Sequence, residues 1–367
     1  MARDQKVLTE EYYIASQWKL IRRRFLKHRT AIAGLVVLGL LYLSAVFCEF
    51  VSPYTPRIRF QEHLYTPPQR IRFVDNGKFQ LRPFVYAVRG ERNPETFLTS
   101  YREITSEKYN IRFFVRGEPY ELWGIFKSDV HLFGTEGGTL FLFGTDGFGR
   151  DLLTRNLYAS RVSLSVGLVG ISLSFILGCL LGGISGYFGG SVDIIIQRVI
   201  EFLLSLPTIP LWMALSAALP PQWSSIRVYF GITIILSLLG WTGLARVVRG
   251  KLLELREADF VMAASISGTP TGKIISHHLL PSVSSYLVVN LTLAVPSMIL
   301  GETALSFLGL GIRPPAVSWG TLLQDSQDVM AITLYPWLFI PALFVVITVL
   351  AFNFVGDGLR DAADPYK

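Results

Sequence analysis

Gly268-Thr269-Pro270-Thr271-Gly272-Lys273 is the stretch of this 367-residue chain that comes nearest to a phosphate-binding loop. Such a loop needs four residues between its glycines, so that backbone N–H groups can cradle phosphates, and a Ser or Thr after the lysine to meet Mg²⁺. Here three residues intervene and Ile274 follows, so ATP chemistry would have to come from another subunit. His277 and His278 are adjacent and point about 100° apart on a helix, whereas ligands for one metal want i, i+3 or i+4 spacing; no metal site is expected. Asp146, Arg150 and Asp151 form a charged cluster without a nucleophile and base at useful spacing, and an ion-pair cluster is the expected role. Glu201 and Glu302 lie within apolar runs, where an ionisable group is costly, and they are the candidate pathway residues.

The elements that must position these groups are apolar. The chain is 51% hydrophobic and 17% charged, with a mean hydropathy of +0.43, more apolar than a soluble domain of this length requires. Six runs are long enough to cross a hydrocarbon core of about 30 Å: Ala31 to Phe50, Val162 to Tyr187, Ile194 to Leu219, Val228 to Leu244, Val283 to Leu305 and Leu334 to Val355. Glu201, Pro207 and Pro210 interrupt the third, which is read as a kinked span. About thirty residues precede the first run and no small-residue cleavage pattern follows before Glu49, so it reads as a retained anchor. Cys48 and Cys179 both fall inside predicted spans, which leaves neither a disulfide framework nor a metal cluster. The sequence predicts an all-α polytopic membrane protein with six transmembrane helices and a small β-rich extracytoplasmic insert.

Orientation follows from charge. Trp18 to Arg29 is densely basic, and the positive-inside rule puts residues 1–30 in the cytoplasm. Ile14, Trp18, Ile21 and Phe25 recur at helical spacing there, which suits an interfacial helix. The first span (31–50) then leads to an insert at 57–140 on the outer side. Residues 141–355 carry the remaining five spans, interrupted by a cytoplasmic loop at 246–282, and 356–367 form a cytoplasmic tail. Within the insert, Arg70 to Val74 and Lys78 to Arg82 flank Asn76-Gly77, a two-residue hairpin signal. A second hairpin is expected at Arg116-Gly117-Glu118-Pro119, between Tyr109 to Val115 and Tyr120 to Phe126. The net charge of +7 sits near the membrane rather than on an aromatic-interleaved groove, so lipid headgroups and not nucleic acid are the expected partner.

Gly178, Gly182, Gly186 and Gly190 recur every fourth residue and offer a helix-packing face. In the loop, Leu255-Arg256-Glu257-Ala258-Asp259-Phe260-Val261-Met262-Ala263-Ala264-Ser265-Ile266-Ser267-Gly268 reads as a helix ending near Ser267. Gly268 supplies a left-handed C′ residue, Thr269 caps a second helix and Pro270 occupies its first turn. The small Ala263 and Ala264 allow close packing at the bend. Such a rigid protrusion suits insertion into a partner's groove.

This loop resembles the EAA loop of ABC importer permeases: Ala263-Ala264, Gly268 and Leu280-Pro281 match its spacing, while Met262 stands where that family has its name-giving Glu. Phe143 to Asp151 with Arg155, Tyr158, Arg161 and Ser163-Leu164 is similar to the C-type subunits of dipeptide and oligopeptide transporters. So are Ala304 to Gly311, Pro314-Pro315, Ser318-Trp319-Gly320, Asn353 to Ala362 and Asp364-Pro365. The resemblance covers residues 1 to about 56 and 141 to 367, and the insert matches no family motif. It implies a type I importer architecture in a bacterial or archaeal cytoplasmic (inner) membrane. The implied partners are a B-type permease, two ABC ATPase subunits and an extracytoplasmic solute-binding protein. No cofactor is implied in this chain, ATP and Mg²⁺ being held by the ATPases. Coupling would run through Arg256, Glu257, Asp259, Ala263, Ala264, Gly268, Leu280 and Pro281. Relatives with this signature also carry oligosaccharides or nickel complexes. An ion-driven secondary transporter is the competing class, and it would need ionisable groups at the midplane of paired repeats. Only Glu201 and Glu302 are available for that, with no paired halves evident.

Overall fold

The computed structural model describes residues 17–364 apart from 76, 93, 96–98 and 328; Ile14, Asn76 and Pro365 lie outside the described residues. In chain order the helices are α1 (Gln17–Phe25), α2 (Arg29–Val46), α3 (Cys48–Val51), α4 (Leu152–Phe188), α5 (Gly190–Ser205), α6 (Thr208–Ala217), α7 (Ser225–Leu255), α8 (Asp259–Ile266), α9 (Thr271–Lys273), α10 (Leu280–Ser282), α11 (Ser284–Phe307), α12 (Trp319–Gln324), α13 (Val329–Leu334) and α14 (Ile340–Ala363). A π-helical turn, Ile274–Leu279, joins α9 to α10, and a 3₁₀ turn, Pro336–Phe339, leads into α14. Four strands, β1 (Arg72–Asp75), β2 (Lys78–Arg92), β3 (Thr99–Leu122) and β4 (Phe126–Thr135), form an antiparallel meander between α3 and α4.

Five segments are long and apolar enough to cross a bilayer: α2, α4, α7, α11 and the 3₁₀ turn together with α14. α4 begins at Leu152, well before the predicted Val162. Asp151 caps it by accepting from the Thr154 N–H at 2.8 Å, and its polar first turns are buried against protein, where hydropathy cannot see them. α7 likewise continues to Leu255, and α14 continues to Ala363, through most of the expected tail. The third predicted run is not one kinked helix. α5 and α6 meet at 86°, because Leu206, preceding Pro207, is held extended at ψ 135° and the proline offers no N–H to continue the helix.

α4 and α7 pack side by side and run parallel, as three successive contacts record. A Cβ on Gly178 would meet Leu244, one on Gly182 the backbone of Ala245, and one on Gly186 the backbone of Arg249. Gly190 does not continue this face. α4 has ended at Phe188, and Gly190 opens α5 at φ 52° with open space where a Cβ would be. Asp193 of α5 is then clasped by both Arg249 of α7 and Ser185 of α4.

α1 buries Ile21 and Phe25 but leaves Trp18 exposed. It is fixed to the far end of the chain by Arg24, whose Nη1 donates to the Asp364 carbonyl at 2.6 Å. Lys251, Ser285, Arg360 and Asp364 line one cleft, so the end of α7, the start of α11 and the end of α14 share the end of the molecule that carries the basic helix.

At the opposite end, the first hairpin is present: Asp75 pairs with Lys78 and Gly77 has φ 78°. The second is displaced. β3 runs through Arg116 to Pro119 as an irregularity in its pairing with β4, and the reversal comes at Trp123-Gly124-Ile125, where Leu122 pairs with Phe126. Gly117 is used for close approach rather than for a turn, since a Cβ there would lie 2.7 Å from the His131 ring. Residues 57–70 are not part of the β unit. Phe60 N–H donates to the Gly149 carbonyl at 2.9 Å, Tyr65 N–H to Asp146 at 3.0 Å and Gln69 N–H to Phe141 at 2.9 Å, while the Tyr65 ring stacks on Tyr335 at 4.1 Å. They form a stem locked to the helical body.

Candidate functional site

The loop between α7 and α11 is built outward from a small core. Leu252 of α7, Val261 of α8, Ile274, Leu279 and Val283 pack together out of solvent, so α8 is held by one buried residue on its inner side. Its C-terminus closes in a double turn. Gly268 N–H donates to the Ser265 carbonyl at 3.0 Å, Thr269 N–H to Ala264 at 3.1 Å, and Gly268 sits at φ 75°. This satisfies carbonyls that the helix would otherwise orphan, and the left-handed residue is the one position where a Cβ is costly. Because Thr269 is spent on that turn, the next helix starts one residue late, with Pro270 rather than Thr269 at its N-cap.

The outer face of α8 is apolar. Phe260 and Met262 are exposed, and Ile266 is 88% exposed. Ala263 and Gly268 are open to solvent and Ala264 is half-buried. Asp259 lies in the first turn of α8, where a negative charge suits the helix dipole. Arg256 and Glu257 form an exposed pair at 3.4 Å. Leu280 and Pro281 belong to α10, where the loop re-enters the helical body. Phe260, Met262 and Ile266 do not stand out in the sequence because helical periodicity alone does not say which face of a helix the fold leaves exposed. Their apolar character in an otherwise polar connection was the available signal.

The charged cluster at the other end is an ion-pair network. Asp146 receives Arg150 Nε at 2.8 Å and also Arg155, and Arg155 reaches Asp325 at 3.3 Å. Burial pushes the Asp325 carboxyl above its ordinary range, against the pull of Arg155. Burial likewise pushes Asp151 up to about 7, opposed by its hydrogen bonds to the start of α4. Nearby, Glu49 of α3 is held by two hydrogen bonds from Arg161, each 2.6 Å. Arg161 also donates to the Ala45 and Val46 carbonyls and so closes the end of α2.

The two glutamates have different surroundings. Glu302 is sealed inside, accepting from Ser163 Oγ at 3.0 Å and Ser306 Oγ at 2.6 Å, while Ser163 and Ser306 in turn receive the Trp319 and Ile312 N–H groups. It ties α4, α11 and α12 together. Glu201 is exposed on α5 and pairs with Arg198 at 2.7 Å.

Two family models match this chain. Residues 174–366 match the binding-protein-dependent transport system inner membrane component, and residues 16–68 match the N-terminal TM domain of oligopeptide transport permease C. The chain therefore belongs to the inner-membrane permeases of binding-protein-dependent, ABC-type transport systems, in the group of their C-type peptide-transporter subunits. It is 41% identical to the dipeptide transport system permease protein DppC of Bacillus subtilis over 223 residues, 61% of this chain and 68% of that protein. It is 45% identical to the oligopeptide transport system permease protein OppC of Haemophilus influenzae over 224 residues, 61% of this chain and 70% of that protein. A putative peptide permease of Brucella suis is 39% identical over 251 residues, 67% of this chain and 81% of the relative. The N-terminal match reaches to residue 68, so the stem at 57–68 belongs with the family region, and neither model covers the four strands.

Proposed function

We propose that this chain forms half of the translocation pathway of an ATP-driven, binding-protein-dependent importer of dipeptides or oligopeptides. In this reading a B-type permease completes the pathway and two ATPase subunits supply the energy. A solute-binding protein delivers substrate at the end that carries the β unit. α8 is the coupling element, entering a groove on an ATPase through Phe260, Met262 and Ile266 and transmitting ATPase closure to α7. The observation that carries this is the exposed apolar face of α8 held by the left-handed turn at Gly268. The chain has six crossings with both termini in the cytoplasm. The parallel course of α4 and α7 supports this, because the chain between them must return from one end to the other through α5 and α6. The peptide substrate rests on what the relatives are named for.

The test pairs cross-linking with transport. A cysteine at Ile266 is expected to cross-link to a co-purifying ATPase in membranes, and reconstituted vesicles to accumulate labelled peptide only with ATP and binding protein. Cross-linking without peptide uptake, but with uptake of an oligosaccharide or a nickel complex, would move the substrate; absence of any cross-link would remove α8 as the coupling element.

A further inference from the structure

The β3–β4 hairpin ends in a cluster of apolar side chains that the fold leaves uncovered. Ile125 is 72% exposed and Phe126 59%, with Trp123 beside them. Further up β3, Phe113 and Phe114 are both exposed, because Phe114 takes a left-handed φ of 55° and breaks the alternation that would have turned one of them inward. Large apolar side chains are exposed on β1 and β2 as well, with Leu81 of β2 at 88% and Phe79 at 71%, so exposure alone does not choose the partner.

The position of this cluster relative to α2 decides what covers it. Trp123 Nε1 donates to the carbonyl of Val46, the last residue of α2, at 2.8 Å, and its ring lies 5.5 Å from Phe47. Phe114 lies 6.2 Å from Phe50, one helical turn further out. Of the β3 contacts with this segment, Phe114 at Phe50, Glu118 at Thr55 and Trp123 at Val46, the one beside the reversal lies nearest the body of α2, and Ile125 and Phe126 follow directly on it. α2 has 18 residues, and at ~1.5 Å rise per residue it spans about 27 Å, close to the thickness of the hydrocarbon core. Its basic flank marks one boundary and Val46 the other. At the level of Val46 the side chains are those of an interface: the Trp123 indole, and the Arg161 guanidinium bonded to Ala45, Val46 and Glu49. The tip thus continues the exposed apolar face of α2, formed by Leu35, Val36, Leu40, Leu43 and Val46.

We propose that the β3–β4 tip is a membrane-inserting hairpin that buries Ile125, Phe126 and Trp123 in the outer leaflet, at the boundary between headgroups and acyl chains. The partner is the lipid itself. Trp at the polar boundary and aliphatic or Phe side chains just beneath it are the arrangement of a monotopic anchor. The anchor fixes the β unit against the bilayer beside α2, and it rests on α2 crossing the membrane.

Depth-resolved quenching tests this in the full chain, reconstituted with its co-purifying subunits. Cys48 and Cys179 are buried, so an introduced cysteine is the accessible thiol of this chain, and the fluorescence is read from the labelled chain against the same preparation without the introduced cysteine. A fluorophore on Ile125→Cys is compared with one on Glu91→Cys, on an exposed part of β2 near the other end of the unit, and one on Leu40→Cys, on the exposed face of α2. Lipids carrying a spin label high on the acyl chain are expected to quench position 125 at least about twofold more than position 91, with 125 blue-shifted. Quenching at 40 but not at 125 overturns the proposal while leaving α2 as a span. Shielding of 125 from aqueous iodide without quenching by lipid also overturns it, because a protein surface then covers the tip. Loss of quenching at 40 as well would sink the spanning reading on which the proposal depends.

Discussion

A Cβ built on Gly182 would lie 2.5 Å from the carbonyl oxygen of Ala245. At that separation backbone, not a side-chain tip, would have to move, so α4 and α7 are in contact through their main chains. Gly182→Leu is expected to prevent assembly of the helical body, lowering the membrane yield and the melting temperature in detergent. Gly39→Leu, where nothing lies within 4 Å, is the control and should leave both unchanged. Equal behaviour of the two variants would mean that the α4–α7 contact does not govern folding.

At Gly268 the expected loss is of a different kind. Its φ of 75° is unfavourable for an L side chain, but the position itself is open. Gly268→Leu should therefore insert and fold, yet misdirect α8 and uncouple the ATPases. Membrane content and copy number should match wild type while ATP-driven uptake is lost. Normal uptake would remove the account of coupling.

Glu49 and Arg161 make the third case. Glu49→Ala removes two charge-assisted hydrogen bonds and leaves the guanidinium that closes α2 without its counter-charge. A cost of about 2–3 kcal/mol is expected, read as a lower midpoint of thermal unfolding in detergent. Arg161→Ala should cost a similar amount, and the double variant should cost much less than the sum of the two. Simple additivity would argue against the pairing.

The β unit can be separated from its stem. Gln69 and Phe141 are hydrogen-bonded to each other, so replacing residues 71–138 with a short Gly/Ser linker should leave the helical body intact. Basal ATPase activity of the assembled complex is expected to survive, and its stimulation by loaded binding protein to fall. Unchanged stimulation and uptake would reduce the unit to a decoration.

Sidedness is checked by labelling. Lys78→Cys, on the exposed start of β2, should react with an impermeant maleimide from outside intact spheroplasts, whereas Ile266→Cys should react only after lysis. The opposite pattern would invert the proposed orientation.

The long apolar helices, the left-handed turn at Gly268 and the hairpin at Gly77 were legible because each rests on local chemistry: run length, a positive φ, a two-residue turn. What was not legible depends on partners distant in sequence. The polar start of α4, from Leu152 to Arg161, is buried by Glu49, Asp146 and the neighbouring helices, and no local pattern announces that. Gly117 looked like a turn residue because Gly and Pro stand together there, yet the imidazole of His131 claims its space. Gly190 kept the four-residue period in sequence after Gly189, at φ 62°, had already ended the helix. Glu302 could be singled out as an unusual residue in an apolar run. That its oxygens are taken by Ser163 and Ser306 could not be foreseen.

α7 runs unbroken for 31 residues, which at ~1.5 Å per residue is about 46 Å of continuous helix. Its last turn abuts the loop that carries α8, and its first residue, Ser225, donates to the Arg313 carbonyl at the opposite end of the helix at 3.2 Å. With its main chain seated against α4 and no break along its length, it would serve the proposed coupling as a stiff lever rather than a chain of hinges. A tilt of about 5° at the α8 end would carry Ser225 through roughly 4 Å over such a length. That is enough to part or join side chains at the far rim without any helix having to melt.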